Sequence, residues 1–335
     1  MNVLGIETSC DDTSLALFST RRGIISNLTA NQLIHDEYGG VVPEIASRAH
    51  IRSVLPVYRA LLAETGVDAR DIDGIGVANG PGLIGSLLVG AAFAKALAYA
   101  VKRPLVGVHH IEAHILSNEL EGEVLSTPAV VLVVSGGHTS LYHIPFAGRY
   151  ELVGNTRDDA AGESFDKIAK LLGLGFPGGP VLEKAARDGD GEAVRFPRAM
   201  MKKGDLDFSF SGLKTAVRLY VEGLPRVNGK AVSDVAASAQ RAIVDVLVEK
   251  TVRCAARYRV GHVYLAGGVA ANALLRENLA GACAGRGIQY HAPLLQYCTD
   301  NGAMIACAAS GPLARGRDDT MRLDVFARGP VSSWA

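Results

Sequence analysis

The stretch that decides the fold is residues 2–18, NVLGIETSCDDTSLALF, together with its echo at residues 129–145, AVVLVVSGGHTSLYHIP. Each opens on an apolar run of strand length, Asn2–Ile6 and Ala129–Val134. Each then passes through a turn of small and polar residues, Glu7–Asp12 and Ser135–His138, into a second strand-like run, Thr13–Phe18 and Thr139–Pro145. The triplet Thr13-Ser14-Leu15 recurs as Thr139-Ser140-Leu141. Three identities carry little weight alone. The shared plan of strand, small-residue turn and strand at the head of each half predicts an α/β chain with two related halves. Such turns aim main-chain N–H groups outward, which suits phosphate oxygens, although ordinary hairpins have the same outline.

Working outward, residues 43–65 have helical spacing through Ile45, Ala49, Ile51, Leu55, Val57, Leu61 and Leu62, and residues 73–78 read as a strand. Residues 79–86, NGPGLIGS, form a glycine-rich loop before an apolar helix that runs to about Val101. The small residues let backbone approach either a ligand or a neighbouring element. Gly85, Ser86, Gly90 and Lys95 interrupt the apolar run, which predicts a buried helix and no membrane span. In the second half a helix is expected over 162–172, then FPGGP at 176–180 and a short helix through Glu183. Residues 189–230 are polar, irregular and locally basic at Arg195, Arg198, Lys202 and Lys203, and read as a surface insertion with RNA contact as an alternative to a solvated face. A long amphipathic helix, Val232–Arg257, precedes a strand, Val263–Leu265, that runs into AGGVAAN at 266–272 and a further helix. A strand, two glycines and a helix N-terminus make a nucleotide cradle, without the G-x-G-x-x-G pattern of dinucleotide binding.

Residues 109–114, HHIEAH, follow the apolar run Pro104–Val108. On a helix, His110 and His114 share a face and can hold one metal ion. In a peptidase helix the order is H-E-x-x-H, with the glutamate as general base. Here Glu112 lies about 200° around the helix from His110, pointing away from such a metal. Asp300, in the TDNG turn at 299–302 before another apolar helix, has an N-cap as its ordinary reading.

Composition sets the outer limits. The chain has 335 residues, is 48% hydrophobic, and carries 34 basic and 34 acidic residues, enough for two domains with their own cores. Zero net charge argues against nucleic-acid binding by bulk electrostatics, so an RNA contact would need a local patch or a partner protein. The five cysteines, Cys10, Cys254, Cys283, Cys298 and Cys307, are scattered and read as reduced thiols. The start, MNVLGIE, reads as a strand and lacks the basic and apolar regions of a secretory signal, so a cytoplasmic location is expected.

A series of motifs carries a resemblance: GIETSCDDT at 5–13, PEIASR at 43–48, GPGLIGSL at 80–87, HHIEAH at 109–114, VSGGHT at 134–139, GESFDK at 162–167, FPGGP at 176–180, FSFSGLK at 208–214, GGVAAN at 267–272 and CTDN at 298–301. In order and across nearly the whole chain, these resemble the TsaD family, the tRNA threonylcarbamoyladenosine transferases once described as sialoglycoprotein endopeptidases. His109 stands where that family often has Asn and could compete as a ligand. The resemblance implies the sugar kinase/Hsp70/actin (ASKHA, ribonuclease H-like) superfold, as two duplicated actin-like domains with an insertion in the second at about 189–230. The first would span 1–125, with a C-terminal helix returning near 310–325, and the second 126–330.

The resemblance also implies roles. His110, His114 and Asp300 match metal ligands for one divalent ion, iron foremost, with zinc or magnesium as alternatives. Val133, Val134, Ser135, Gly136 and Gly137 match a substrate-binding segment, and Asp166, Gly179, Glu183 and Asn272 match positions that hold adenosine and ribose. The donor would be threonylcarbamoyl-AMP, its phosphate held by the metal and the Ser135–Gly137 turn. The acceptor would be the exocyclic amine of the adenosine 3′ of the anticodon, in tRNAs reading codons that begin with A. Asp11 is the candidate for positioning or proton handling, against an ordinary role in capping its turn. Partners would be an inactive paralogous subunit, docking around residues 43–65 and 83–119, and a small ATPase. A metallopeptidase and an ATP-binding module or small-molecule kinase are the competing readings.

Overall fold

The computed structural model describes residues 1–335 except 33, 39, 202–203, 225–228, 321 and 332–335. The described chain divides into two compact units, one of residues 1–125 and 299–332, the other of residues 126–298.

The first unit is built on β1 (Asn2–Glu7), β2 (Thr13–Ser19) and β3 (Gly23–Ala30), followed by α1 (His35–Tyr38), α2 (Pro43–Thr65), β4 (Gly74–Gly80), α3 (Ile84–Val101), β5 (Leu105–His109) and α4 (His110–Leu116). Its sheet has the order β3-β2-β1-β4-β5, with β1 antiparallel to β2 and parallel to β4. The strands are apolar on both faces because both are covered. On one face Leu4, Ile6, Leu15, Leu17, Ile75 and Val77 pack with Val54, Tyr58 and Leu61 of α2 and Ala91, Ala94 and Ala98 of α3. Helix α3 is long and apolar enough to cross a membrane by length and composition. Here its alanine face lies on the sheet, while Ile84, Leu88 and Tyr99 are exposed.

The second unit repeats the plan with β6 (Ala129–Val134), β7 (Thr139–Ile144), β8 (Glu151–Asn155), α5 (Ala161–Leu171), α6 (Gly178–Ala186), α7 (Ser211–Glu222), α8 (Gly229–Tyr258), β9 (His262–Ala266), α9 (Ala273–Ala284) and β10 (Gln289–His291). Its sheet order is β10-β9-β6-β7-β8. Exchanging β1 to β5 for β6, β7, β8, β9 and β10 reproduces the order and the parallel and antiparallel pairings of the first sheet. Thr13-Ser14-Leu15 and Thr139-Ser140-Leu141 open β2 and β7, the same topological position. The core joins β6 and β9 to Phe165 of α5, Leu213 and Val217 of α7, and the buried face of α8.

The final helix, α10 (Gly302–Ala314), closes the open face of the first sheet. Its close approach depends on absent side chains. A Cβ on Gly5 would fall against the Gly302 carbonyl, and one on Gly76 against Ala309. That approach carries residues 299–301 to α4, where Asp300 Oδ1 accepts from His114 Nε2.

The glycine-rich loop before α3 serves neighbouring backbone. Added Cβ atoms at Gly80, Gly82 and Gly85 would meet Phe326, Ser9 and Ser47 respectively. The 189–230 segment is less superficial than its polarity suggests. Phe196, Leu206, Phe208 and Phe210 are buried in the second core, and α7 supplies part of the same layer. No periodicity announced this, because isolated aromatics in an irregular segment leave no repeating pattern.

Candidate functional site

Strand β5 ends at His109, and the chain turns at once into α4 with His110 as its first residue. Four residues on, His114 returns to the same face, and the two rings lie edge to face with centroids 4.6 Å apart. Asn301, rather than Asp300, caps α10, accepting the Met304 N–H at 2.9 Å. The Asp300 carboxylate is turned to the histidines, with Oδ1 3.1 Å from His114 Nε2 and 3.7 Å from His110 Nε2. One ligand atom from each of the three residues lies within 4.8 Å of the others, the arrangement a cation needs. Glu112 stands outside this cluster. So does His109, whose Nε2 faces the Gly329 carbonyl at 3.3 Å and whose pKa burial lowers to about 4.

Two residues that the sequence reading passed over complete the centre. Glu7, the last residue of β1, is fully buried, with Oε2 3.0 Å from His110 Nδ1 and Oε1 accepting the Ser9 N–H. Burial pulls the His110 pKa down, but Glu7 and Asp300 outweigh it and hold it at about 9. The centre therefore calls for positive charge. A proton on His110 supplies it in the bare protein, and two imidazoles with a carboxylate suit a divalent cation equally well. Asp12 is the second residue. Burial, then the nearby Asp11 and Asp300, raise its carboxyl to about 7, while Asn31 donates to it at 2.8 Å. Asp11 lies half-buried in the same turn. Helix α2 pins that turn through His50, whose Nδ1 is 2.7 Å from Thr13 Oγ1 and whose Nε2 is 3.0 Å from the Cys10 carbonyl. The signal for Glu7 lay in plain view, as an acidic residue closing an apolar strand, but it was overshadowed by the two aspartates after it.

In the second unit the equivalent turn is built from backbone. The Ser135 N–H donates to the His138 carbonyl at 2.8 Å, and the Gly162 N–H, at the start of α5, donates to the Ser135 carbonyl at 3.2 Å. Gly136 and Gly137 are exposed, and added Cβ atoms there would meet nothing. Val133 and Val134 are fully buried in β6, a strand paired with β7 on one edge and β9 on the other.

Asp166, Gly179, Glu183 and Asn272 also come together. Asp166 Oδ1 accepts the Gly178 N–H at 2.7 Å, beside Gly179, whose Cβ direction is open. Glu183 accepts from the Ala273 N–H at 3.0 Å and from Asn272 Nδ2 at 3.3 Å. Asn272 in turn caps α9 by accepting from Leu275 N–H, and donates to the buried Gln240. The N-terminus of α9 is thus already engaged by protein side chains, which corrects the expectation of an open cradle there. What this cluster presents is a set of carboxylate and amide oxygens and an unobstructed glycine. Gly267, at φ 90°, is required for packing, since a Cβ would strike the Val134 carbonyl.

The 189–230 segment is joined to α8 by ion pairs, in which one of its basic residues, Arg198, takes part. Arg198 pairs with Asp245 at 2.7 Å, Arg241 with Glu192 at 2.8 Å, and the fully buried Lys250 with Asp205 at 3.0 Å. Together these fasten the segment along α8. Arg195 remains exposed, and Lys202 and Lys203 lie outside the described residues.

A family model described as TsaD, tRNA N6-adenosine threonylcarbamoyltransferase, matches residues 23–307. Curated relatives with that name include one from Caldicellulosiruptor saccharolyticus, 51% identical over 95% of this chain and 94% of its own length. Another, from Symbiobacterium thermophilum, is 52% identical over 91% of this chain and 90% of its own. Among solved structures, T. kodakarensis HypF superposes with a TM-score of 0.64 at 16% identity, covering 96% of this chain and 49% of HypF. The activator of the 2-hydroxyisocaproyl-CoA dehydratase from Clostridium difficile, with bound ADPNP, gives 0.54 at 12% identity, covering 94% and 96%. At such identities the likeness is one of fold, and it is the actin-like ASKHA fold.

Proposed function

This chain belongs to the TsaD family of tRNA N6-adenosine threonylcarbamoyltransferases, and from that membership we propose its reaction in detail. The threonylcarbamoyl group passes from threonylcarbamoyl-AMP to the exocyclic amine of the adenosine 3′ of the anticodon, in tRNAs reading codons that begin with A. The observation that carries the proposal to particular residues is the convergence of the buried His110 and His114 with the partly buried Asp300, in a chain related to the family over nearly its whole length.

His110, His114 and Asp300 hold one divalent cation, iron foremost, with zinc or magnesium as alternatives, because nitrogen and carboxylate donors do not select sharply among these metals. When bound, the ion supplies positive charge for the oxygens of an acyl phosphate linkage. Within the second unit, the Val133–Gly137 segment binds the donor, with the exposed Gly136 and Gly137 supplying the N–H groups, and Asp166, Gly179, Glu183 and Asn272 hold the adenosine and ribose, whose hydroxyls donate well to carboxylates. Asp11 orients the acceptor amine or takes its proton. An aromatic amine is a poor nucleophile, so orientation supplies much of the rate. The peptidase alternative lacks its base, since Glu112 stands apart from the histidines.

The protein works in the cytoplasm as two actin-like domains, with an inactive paralogous subunit and a small ATPase. The exposed Ile51 and Leu55 of α2 and Ile84, Leu88 and Tyr99 of α3 support docking of the paralogue on these helices. Introducing charge, as Ile51→Glu with Leu88→Glu, should abolish its co-purification; survival of the complex places the interface elsewhere. The transfer itself is tested with labelled threonine, bicarbonate, ATP, the adenylate-forming enzyme, the partner proteins and unmodified tRNA whose anticodon ends in U. Label with wild type and none with His110→Ala supports both the reaction and the metal role. Label with both demotes the histidines to structure. With every partner shown active, no label from wild type overturns the proposal.

A further inference from the structure

The two histidines of the candidate metal centre are not held alike. His114 Nδ1 is buried with no hydrogen-bond partner among the described residues, and the ring is fixed at its other nitrogen, Nε2, by Asp300. His110 Nδ1 has two oxygens against it, Glu7 Oε2 at 3.0 Å and Ser9 Oγ at 3.1 Å. An ionised carboxylate only accepts, so it fixes the proton of His110 on Nδ1 and leaves the Nε2 lone pair to the cluster. Carboxylates placed in this way behind a metal-binding imidazole set the ring orientation and increase its basicity.

Glu7 does a second thing at the same time. Its other oxygen accepts the Ser9 N–H at the start of the turn that carries Asp11 and Asp12. Ser9 is gripped from the opposite side too, its carbonyl accepting the Leu83 N–H at 2.8 Å. Thr8 donates to the Ser86 carbonyl at 3.0 Å, so the turn is tied to the head of α3 on both sides of the Glu7 contact. One fully buried side chain therefore spans the imidazole on α4 and the acidic turn between β1 and β2.

We infer that Glu7 is a positioning residue that presets His110, through Nδ1, as the anchoring ligand of the cation centre and holds the Asp11 turn in register with it. This rests on the metal reading of His110, His114 and Asp300. A carboxylate retained for folding alone would leave cation affinity unchanged once the fold was intact, whereas a positioning carboxylate sets that affinity directly.

The experiment is titration of the metal-free, full-length protein with Co(II), followed by its visible absorption, for wild type, Glu7→Gln and Glu7→Leu, with thermal unfolding of each metal-free protein alongside. Gln keeps an acceptor of the same shape; Leu removes it. Glu7→Leu should bind Co(II) about 100-fold more weakly, and Glu7→Gln should recover to within about 10-fold of wild type, the span expected for a group behind a ligand. The inference predicts that metal-free Glu7→Gln melts close to wild type while its Co(II) affinity still falls. If Glu7→Leu does not fold, the comparison of Glu7→Gln with wild type decides alone. Affinities of the folded variants within twofold of wild type overturn the role of Glu7 and leave the metal centre standing. Absence of Co(II) binding by wild type overturns the metal reading itself, and the role of Glu7 with it.

Discussion

The turn between β1 and β2 and the turn between β6 and β7 occupy the same place in two sheets of identical strand order, yet they are opposite in character. The first is acidic, partly buried and crowded, with Glu7, Asp11 and Asp12 close to Asp300 and pinned by His50. The second is neutral and open, made of Ser135, Gly136 and Gly137, with its polarity in main-chain N–H groups. A duplicated fold supplies two hairpins; their side chains then make one a concentration of carboxylates and leave the other open at its glycines. The contrast lies in only a handful of residues.

The largest expected effect tests the acidic side. Burial, Asp11 and Asp300 raise the Asp12 carboxyl from its ordinary 3.8 to about 7. A carboxyl whose folded pKa is raised contributes stability that is fully present below its ordinary pKa and is lost as pH climbs through 7. Asp12→Asn removes that loss. In metal-free protein the variant should therefore gain on wild type between pH 5 and pH 8 by about 2–3 kcal/mol, the rest of the three-unit shift being already expressed at pH 5. Parallel denaturant titrations at the two pH values check this. A divalent cation should shrink the gain, since it meets the carboxylates' demand. A gain that ignores both pH and cation would mean that the turn is not electrostatically strained.

The sequence carried this contrast unevenly. Both hairpins, the bounds of α2 and α3, and the pairing of His110 with His114 were legible, because apolar runs of strand length, helical periodicity and i, i+4 spacing are local properties. Asp300 was placed through family resemblance; locally it had the look of an N-cap, and Asn301 holds that role because its side chain reaches Met304 N–H first. Glu7, Asp12 and His50 were missed for a common reason. Their environment is made by residues far along the chain, such as His110 at 103 residues' distance from Glu7, and burial of that kind leaves no local trace. The fastening of 189–210 along α8 was hidden in the same way, since Arg198 and Asp245 are 47 residues apart.

The open turn is tested by Gly136→Asp. No atom stands where the new Cβ would go, so the fold should be retained, with a melting temperature within about 2 °C of wild type. In the proposed arrangement a carboxylate there meets the donor phosphate, and like charges brought together disfavour binding, so affinity for a non-hydrolysable threonylcarbamoyl-adenylate analogue should fall by about 10- to 100-fold. Gly162→Ala is the counterpart that should harm folding instead, because its Cβ would press on the Ser135 carbonyl. If Gly136→Asp leaves analogue binding intact, the second hairpin is not the phosphate-facing one and the contrast between the turns loses its functional meaning.

The smallest effect concerns the charges of the second unit that lie away from its turn. Arg198 is engaged by Asp245 through both Nε and a terminal nitrogen, at 2.8 and 2.7 Å, whereas Arg195 is exposed. A partly exposed pair of this kind contributes about 0.5–1 kcal/mol, so Arg198→Ala should lower stability by that amount and leave the KM for tRNA within about twofold. Arg195→Ala should do the reverse if the segment touches RNA, leaving stability unchanged, raising the KM and reducing the salt dependence of tRNA binding by about one phosphate contact. Equal and negligible effects on tRNA from both substitutions would assign the segment to the scaffold of α8, and the chemistry of the second unit would then rest with its neutral turn and the Glu183–Asn272 cluster.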